Sequence, residues 1–394
     1  MEFFSTAWHV LSAYIIFIFG GWLLFFTRNY FSVNVRRLAL IYAWHTVLCA
    51  FYAWYVINNG GDALMYYQTS LADGLAFSVG TAGVRYITYF FSVFLGLSFL
   101  GCFLVFNVFG TLGLVAFDAA LRHAVFGKPL FLKRLATLII LLPSISFWSS
   151  AVGKDAISFM ATGFALWAAL DISRRKWLMI FAILSMLLVR PHMAAMMIIG
   201  LSAAFVLQAR LPLIQRILFG GISIAAAAAM VPFALDYAGV GAGADMDALL
   251  EYTEERQGYN QQGGGGVDIS SMSFPMQLFT YLFRPLPIEA GSIFQLAASL
   301  DNMILLFLFI VGGLALFKGR KARIQSGRVF LWVYALLALV VLAMTTANLG
   351  ISVRQKWMFT PVLIYLLISV MGRTCKRTSH DSESVALADI NLKK

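Results

Sequence analysis

The chain has 394 residues, of which 61% are hydrophobic and only 12% are charged, and its formal net charge is +11. Its apolar runs are long enough to cross about 30 Å of hydrocarbon, which excludes a soluble globular protein and predicts a polytopic, all-α membrane protein. The short alternating segments typical of a transmembrane β-barrel are missing. The three cysteines show no CxxC or Cys/His spacing, so neither a disulfide framework nor a metal site is predicted.

The apolar runs predict about eleven crossings. They lie at about 7–26, 38–57, 87–120, 135–149, 156–171, 177–189, 193–208, 217–235, 300–317, 329–346 and 358–371. No basic segment precedes the first run and no cleavage site follows it, so we expect a retained helix and not a signal peptide. The third run is too long for one straight span, and its FGTLG segment at 109–113 is the predicted break or tilt.

The basic residues orient this topology. The connections at 27–37, 121–134, 172–176, 209–216 and 318–328, together with the tail from 372, hold 22 of the 29 Lys and Arg residues. The positive-inside rule therefore places the N-terminus outside and the C-terminus in the cytoplasm. This explains the net charge without nucleic acid. We expect a single transmembrane domain at 1–371, with outer loops 58–86 and 236–299 forming part of a site, and a polar, disordered cytoplasmic tail at 372–394.

The first outer connection contains the segment GGDALMYY. Asp62 follows two glycines, and Tyr66 and Tyr67 come one helical turn later. In a structural interpretation, Asp62 caps a short helix. In a functional interpretation, it is a carboxylate at the membrane face, beside aromatic rings that stack on a sugar or lie at headgroup level.

The second outer connection, FWSSAVGKD, combines Trp148 with the pair Lys154 and Asp155. An aspartate in the first turn of a helix is favoured by the helix dipole, whereas a lysine has the disfavoured sign. A helix start therefore explains Asp155 but not Lys154, which is better interpreted as a partner for an anion.

The third outer connection, LLVRPHMAAMM, places Arg190 and His192 on either side of a proline, between two short apolar runs. Charged groups at such a depth pair with one another, line a wet cavity or bind an ion. The alternative is an ordinary turn in which Arg190 contacts carbonyl groups.

Two more connections on this side carry charge. The region 236–299 contains a predicted acidic amphipathic helix at 245–257, a glycine-rich linker at 257–266, and an interfacial or re-entrant segment in which Arg284 and Glu289 either pair or join the site. The last connection, NLGISVRQKWMFTP, contains Arg354 and Lys356. They are either a misplaced stop-transfer pair or phosphate ligands, since the guanidinium fork matches phosphate oxygens.

The segments GGDALMYY, PSISFWSSAVGKDA, VRPHMA, FRPLPIEAGSIFQLAASLDN and RQKWMFTP resemble those of bacterial polysaccharide repeat-unit polymerases (Wzy/EpsG-type) and of GT-C-like membrane glycosyltransferases. The resemblance implies a polyprenyl-(di)phosphate-linked sugar donor at the outer face of the cytoplasmic membrane. It implies that an acidic residue in the first outer loop is the catalytic base or orients the acceptor, and Asp62 has that position. The family's tandem acidic pair is absent, because the sequence is Gly61-Asp62-Ala63, and Asp155 is a rival base.

These arguments predict a site at the outer face. Its expected catalytic residues are Asp62 and Asp155, its phosphate-binding residues Lys154, Arg190, His192, Arg284, Arg354 and Lys356, and its sugar-binding residues Tyr66, Tyr67, Trp148 and Glu289. We expect no metal and no cofactor. The expected partners are a polyprenyl-linked saccharide donor and acceptor, membrane lipids and polysaccharide export machinery, without nucleic acid. The alternatives are a flippase or exporter of lipid-linked saccharides, which would need charges at the bilayer midplane, and a non-catalytic scaffold.

Overall fold

The computed structural model describes residues 3–72, 76–207, 213–238, 255, 265–269 and 271–372. In this part of the chain the structure is helical and contains no β-strand, only an isolated bridge between Gly266 and Asn348. The predicted all-α class is confirmed. The predicted acidic helix at 245–257 (apart from Glu255), most of the linker at 257–266 and the tail from 373 lie outside the described residues.

The described residues form sixteen α-helices. In chain order they are α1 (Ala7–Thr27), α2 (Val35–Asn59), α3 (Asp62–Ser70), α4 (Thr81–Tyr89), α5 (Phe99–Ala124), α6 (Leu130–Ile140), α7 (Pro143–Ser149), α8 (Lys154–Ala169), α9 (Ile172–Val189), α10 (Pro191–Leu207), α11 (Leu213–Ala238), α12 (Phe274–Phe283), α13 (Ile293–Phe317), α14 (Arg328–Thr345), α15 (Leu349–Gln355) and α16 (Thr360–Ile368). A π-helical turn, Phe90–Phe94, follows α4, and 3₁₀ turns lie at Pro287–Glu289 and Lys356–Met358.

Six helical segments of the described chain have the length and apolar composition of a membrane span. They are Ala7–Thr27, Val35–Asn59, Phe99–Ala124, Leu130–Ser149, Ile293–Phe317 and Arg328–Thr345. The count of eleven crossings and the outside position of the N-terminus stay predictions. The helices of the described residues overlap the predicted crossings, because both follow the same apolar runs. The third predicted crossing, 87–120, also includes the non-helical residues 95–98, and the fourth, 135–149, covers parts of both α6 and α7.

The predicted break of the third crossing is in a different place. Helix α5 continues through 109–113, and the chain leaves helical structure at 95–98, where Gly96 has a φ of +62°. The glycines of the FGTLG segment allow close packing instead. A Cβ on Gly110 would lie 2.0 Å from the carbonyl oxygen of Ser149, and one on Gly113 would lie 2.7 Å from the Cα of Met160. Helix α5 is thus the buried centre, contacted by α7 and α8.

Two prolines interrupt apolar runs and begin new helices. Two residues separate the end of α6 from Pro143, which begins α7, and Pro191 begins α10 directly after Arg190. Proline suits the first position of a helix, because its N–H would have no partner there and its φ is already helical. The connection after α7 and the connection after α9 lie near the same end of the bundle, because residues of both line one cavity.

A buried ion network lies at the opposite end. The Asp118 carboxylate on α5 is fully buried and accepts hydrogen bonds from Arg37 at 2.6 Å and from Arg122 at 2.8 Å. Arg122 also donates to the carbonyl groups of Phe31 and Ser32. Every charge here has partners, so the network fixes the α1–α2 connection against α5. Along α2, roughly 22 Å separates Arg37 from Tyr52, which lies toward the other end.

Candidate functional site

A cavity of about 610 Å³ opens at the end of the bundle where α3, α8, α10 and α15 meet. Its lining comprises Tyr52, Asp62, Ala63, Met65, Tyr66, Thr81, Ala151, Val152, Gly153, Lys154, Asp155, Arg190, His192, Leu342, Thr345, Thr346, Ile351, Arg354 and Gln355. Residues from four sequence-distant connections, which the positive-inside rule assigns to one side of the membrane, therefore line one space.

Asp155 is at the centre of the charged cluster. It lies in the first turn of α8, as the helix-start interpretation predicts. Its Oδ1 accepts a hydrogen bond of 2.7 Å from Nη2 of Arg190, and its Oδ2 lies 3.0 Å from Nε of Arg354. The second contact is an ion pair whose N–H is not aligned for a hydrogen bond. Both carboxylate oxygens are thus occupied by guanidinium groups.

Arg354 connects the two carboxylates that the sequence suggests as rival bases. Besides its contact with Asp155, its Nη1 donates a 2.8 Å hydrogen bond to Oδ2 of Asp62. The Asp155 carboxylate, followed by that of Asp62, holds the pKa of Arg354 above its ordinary range. Asp62 begins α3 without capping it, because the N-cap residue is Gly61. Its Oδ1 has no hydrogen-bond partner among the described residues.

The cavity has more cationic than acidic side chains. Lys154, Arg190 and Arg354 face Asp62 and Asp155, and both acids are already paired with arginine. The Lys154 ammonium has neither a carboxylate within 4 Å nor a hydrogen bond among the described residues. Burial, followed by the charge of Arg190, lowers the pKa of Lys154 to about 8. The excess of positive charge favours an anionic ligand.

Four helices begin at this cavity. Asp62 of α3, Thr81 of α4 and Lys154 of α8 are first residues, and His192 is the second residue of α10. Glycine precedes the first three of these helices, so their N-termini have no side-chain cap. The N-terminus of a helix carries a partial positive charge and unpaired N–H groups, both of which favour anions.

Tyr66 and His192 also lie where the sequence predicts. The Tyr66 ring is next to the glycine turn before α8, because a Cβ on Gly153 would contact its ring carbons at 3.7 and 3.9 Å. His192 lines the cavity from the first turn of α10. The structure thus brings together Asp62, Tyr66, Lys154, Asp155, Arg190, His192 and Arg354 of the predicted residues.

Five other predicted residues do not line the cavity, namely Tyr67, Trp148, Arg284, Glu289 and Lys356. Arg284 and Glu289 pair with each other at 2.9 Å, as the alternative interpretation has it. Lys356 is buried and donates to the side-chain oxygen of Asn302. The Tyr67 hydroxyl donates to a backbone carbonyl group at 3.2 Å.

Trp148 has an intermediate position. Its ring packs edge-on against Tyr52, and the Arg354 guanidinium lies 6.0 Å from the ring centre. Trp148 therefore packs against the cavity residue Tyr52 and lies near Arg354, but it does not line the cavity itself.

Sequence reasoning missed Tyr52, Thr81 and Gln355. Tyr52 lies inside a predicted crossing, and its aromatic character is shared by many membrane-facing residues, so nothing in the sequence distinguishes it. Gly80, directly before Thr81, is a residue type that N-caps accept, and it is the one sequence signal for the start of α4. Among the described residues, no group of three or more His, Cys, Asp or Glu side chains is placed to hold a metal ion.

Comparison of the chain with protein-family models, curated proteins and solved structures finds no match.

Proposed function

We propose that this protein is a membrane glycosyltransferase that acts at the outer face of the bacterial cytoplasmic membrane. It transfers a sugar or an oligosaccharide repeat unit from a polyprenyl-(di)phosphate-linked donor to a saccharide acceptor in extracellular polysaccharide synthesis. The supporting observation is the cavity itself, where three cations and two carboxylates meet at the N-termini of four helices within an apolar helical bundle.

The charges suit the leaving group of this reaction. When the bond between the anomeric carbon and the phosphate oxygen breaks, the leaving (di)phosphate takes the electron pair and gains negative charge. Lys154 and Arg190 are fixed cations that stabilise this charge, and they do so more strongly in a partly enclosed cavity than in water. The donor's polyprenyl chain stays in the surrounding lipid.

Asp62 is the better candidate for the general base. The acceptor hydroxyl forms the new bond to the anomeric carbon and transfers its proton to a carboxylate. Asp62 has a free Oδ1 and a half-exposed side chain, at 53%, so a hydroxyl group can reach it. In Asp155 both oxygens contact arginine and the side chain is only 17% exposed. Asp155 therefore positions Arg190 and Arg354.

The proposal is tested in cells whose only copy of the chain carries Asp62→Asn, with membrane levels of the protein checked. We expect long polymer to disappear and lipid-linked saccharide to accumulate on the outer leaflet, because the acceptor is no longer deprotonated. Asp62→Glu, which keeps the carboxylate, is the matched variant and should restore part of the polymer.

The other outcomes decide against this function. Accumulation on the inner leaflet would indicate a flippase of lipid-linked saccharides, and purified protein in proteoliposomes would then move labelled lipid without an acceptor. Unchanged polymer in Asp62→Asn cells would remove the assignment of the base.

A further inference from the structure

The first turn of α8 has backbone donors without partners. Gly153 precedes this helix and offers no side chain to cap it. Within the described residues, the N–H groups of Lys154, Asp155 and Ala156 donate to no group outside the helix. This segment is not open surface, since Val152 and Ala156 are at most 1% exposed. The first N–H groups of a helix have no partner within the helix, so this helix start can donate hydrogen bonds to a ligand in the cavity that Lys154 and Asp155 line.

Arg190 provides a second, independent indication. The residue is only 7% exposed and lines the cavity beside α8. Its Nη2 pairs with Asp155, but its Nε is buried and has no hydrogen-bond partner among the described residues. The unpaired Lys154 ammonium projects from the same turn. A guanidinium N–H of Arg190, the ammonium of Lys154 and the first backbone N–H groups of α8 thus belong to residues that line the same cavity.

We infer that the first turn of α8 is the phosphate subsite, in which the backbone N–H groups after Gly153 bind the donor's phosphate oxygens together with Lys154 and Arg190. This inference rests on the proposed function for the identity of the donor. It adds that the anion is held mainly by main-chain donors and not only by side-chain charge. Such donors are rigid, so little conformational entropy is lost when the anion binds.

Gly153 then has a specific role. Its φ of 163° is extended, so other residues can adopt its backbone conformation, and an added Cβ would make only ordinary contacts with Tyr66. Serine, the usual residue at a helix N-cap, would fit. Its hydroxyl oxygen would accept hydrogen bonds from the N–H groups that we assign to phosphate. Glycine keeps them available.

The inference can be tested with two variants, because the variant with the better helix cap should bind the anion more weakly. Full-length protein in lipid nanodiscs is titrated calorimetrically with inorganic pyrophosphate, comparing Gly153→Ser with Gly153→Ala. Both variants add the Cβ, and only serine adds a competing acceptor. We expect Gly153→Ser to bind pyrophosphate about fivefold more weakly than Gly153→Ala. Its midpoint temperature of thermal unfolding should nevertheless be at least as high as that of Gly153→Ala, because serine caps the helix.

Equal affinities of the two variants, or no pyrophosphate binding by the wild type, would overturn the inference. The result is separable from the proposed function, which the Asp62→Asn experiment tests. Weaker binding by Gly153→Ser together with unchanged polymer in Asp62→Asn cells would keep the anion subsite and reject glycosyl transfer through Asp62. Loss of polymer in the Asp62→Asn cells, together with equal pyrophosphate affinities of Gly153→Ser and Gly153→Ala, would reject the anion subsite and keep the proposed function.

Discussion

The two carboxylates of the cavity differ in burial, so the same substitution should have unequal effects on stability. Asp155→Asn leaves the guanidinium of Arg190, whose side chain is 9% exposed, without a carboxylate. Removing one partner of a buried ion pair costs about 3–5 kcal/mol. The asparagine oxygen can still accept one hydrogen bond and the site is partly open, so we expect a loss of about 3 kcal/mol. Asp62→Asn removes one half-exposed contact with Arg354 and should cost under about 1 kcal/mol.

The cysteines provide the assay. Cys49 and Cys102 are fully buried and react with a thiol reagent only when the bundle opens. In a Cys375→Ser background, the labelling rate of folded protein in detergent reports the free energy of opening. A loss of 3 kcal/mol should raise that rate by roughly a hundredfold for Asp155→Asn, against less than about fivefold for Asp62→Asn.

A double variant isolates the ion pair from other effects of the substitution. In Asp155→Asn/Arg190→Gln the uncompensated guanidinium is gone, so the double variant should lose less stability than the sum of the single variants, by about 1–3 kcal/mol. Equal labelling rates for Asp155→Asn and Asp62→Asn, or strictly additive losses, would refute the view that Asp155 is a buried positioning residue.

Three further predictions concern other parts of the molecule. Asp118→Asn, at the far end of the bundle, leaves two guanidinium groups without a carboxylate and should cost about 3–5 kcal/mol by the same labelling assay, without a change in pyrophosphate affinity. Gly110→Ala places a Cβ 2.0 Å from the Ser149 carbonyl oxygen, so overpacking should destabilise the protein by about 1–3 kcal/mol, seen as a lower yield of folded protein in detergent. Because the pKa of Lys154 is lowered to about 8, the charged form is lost as pH rises through 8, and anion affinity should fall between pH 7 and 9. Lys154→Arg stays charged, so the affinity of the wild type relative to this variant should fall over that range, because the changing charge of pyrophosphate affects both proteins alike.

Much of the site could be predicted because charge is rare in this chain. In an apolar bundle a charged residue between two crossings is conspicuous, and Lys154, Arg190 and Arg354 were found in this way. The same signal could not separate cavity residues from Arg284 and Lys356. Whether a cation faces a cavity, a neighbouring glutamate or a buried asparagine depends on how helices pack, and sequence spacing does not contain that information.

The glycines also show that the sequence does not contain the packing of the helices. The sequence predicts a break or tilt at the segment that contains Gly110 and a helix start after Gly153, yet the structure uses Gly110 for close helix packing and leaves the helix start after Gly153 without a side-chain cap. The difference comes from the neighbours: the Ser149 carbonyl group fills the space beside Gly110, whereas only the Tyr66 ring stands beside Gly153. An unfilled space next to uncapped N–H groups is a property of the folded bundle. For this reason the Gly153 variants test the anion subsite more directly than removal of any charged residue, since they leave every charge in place.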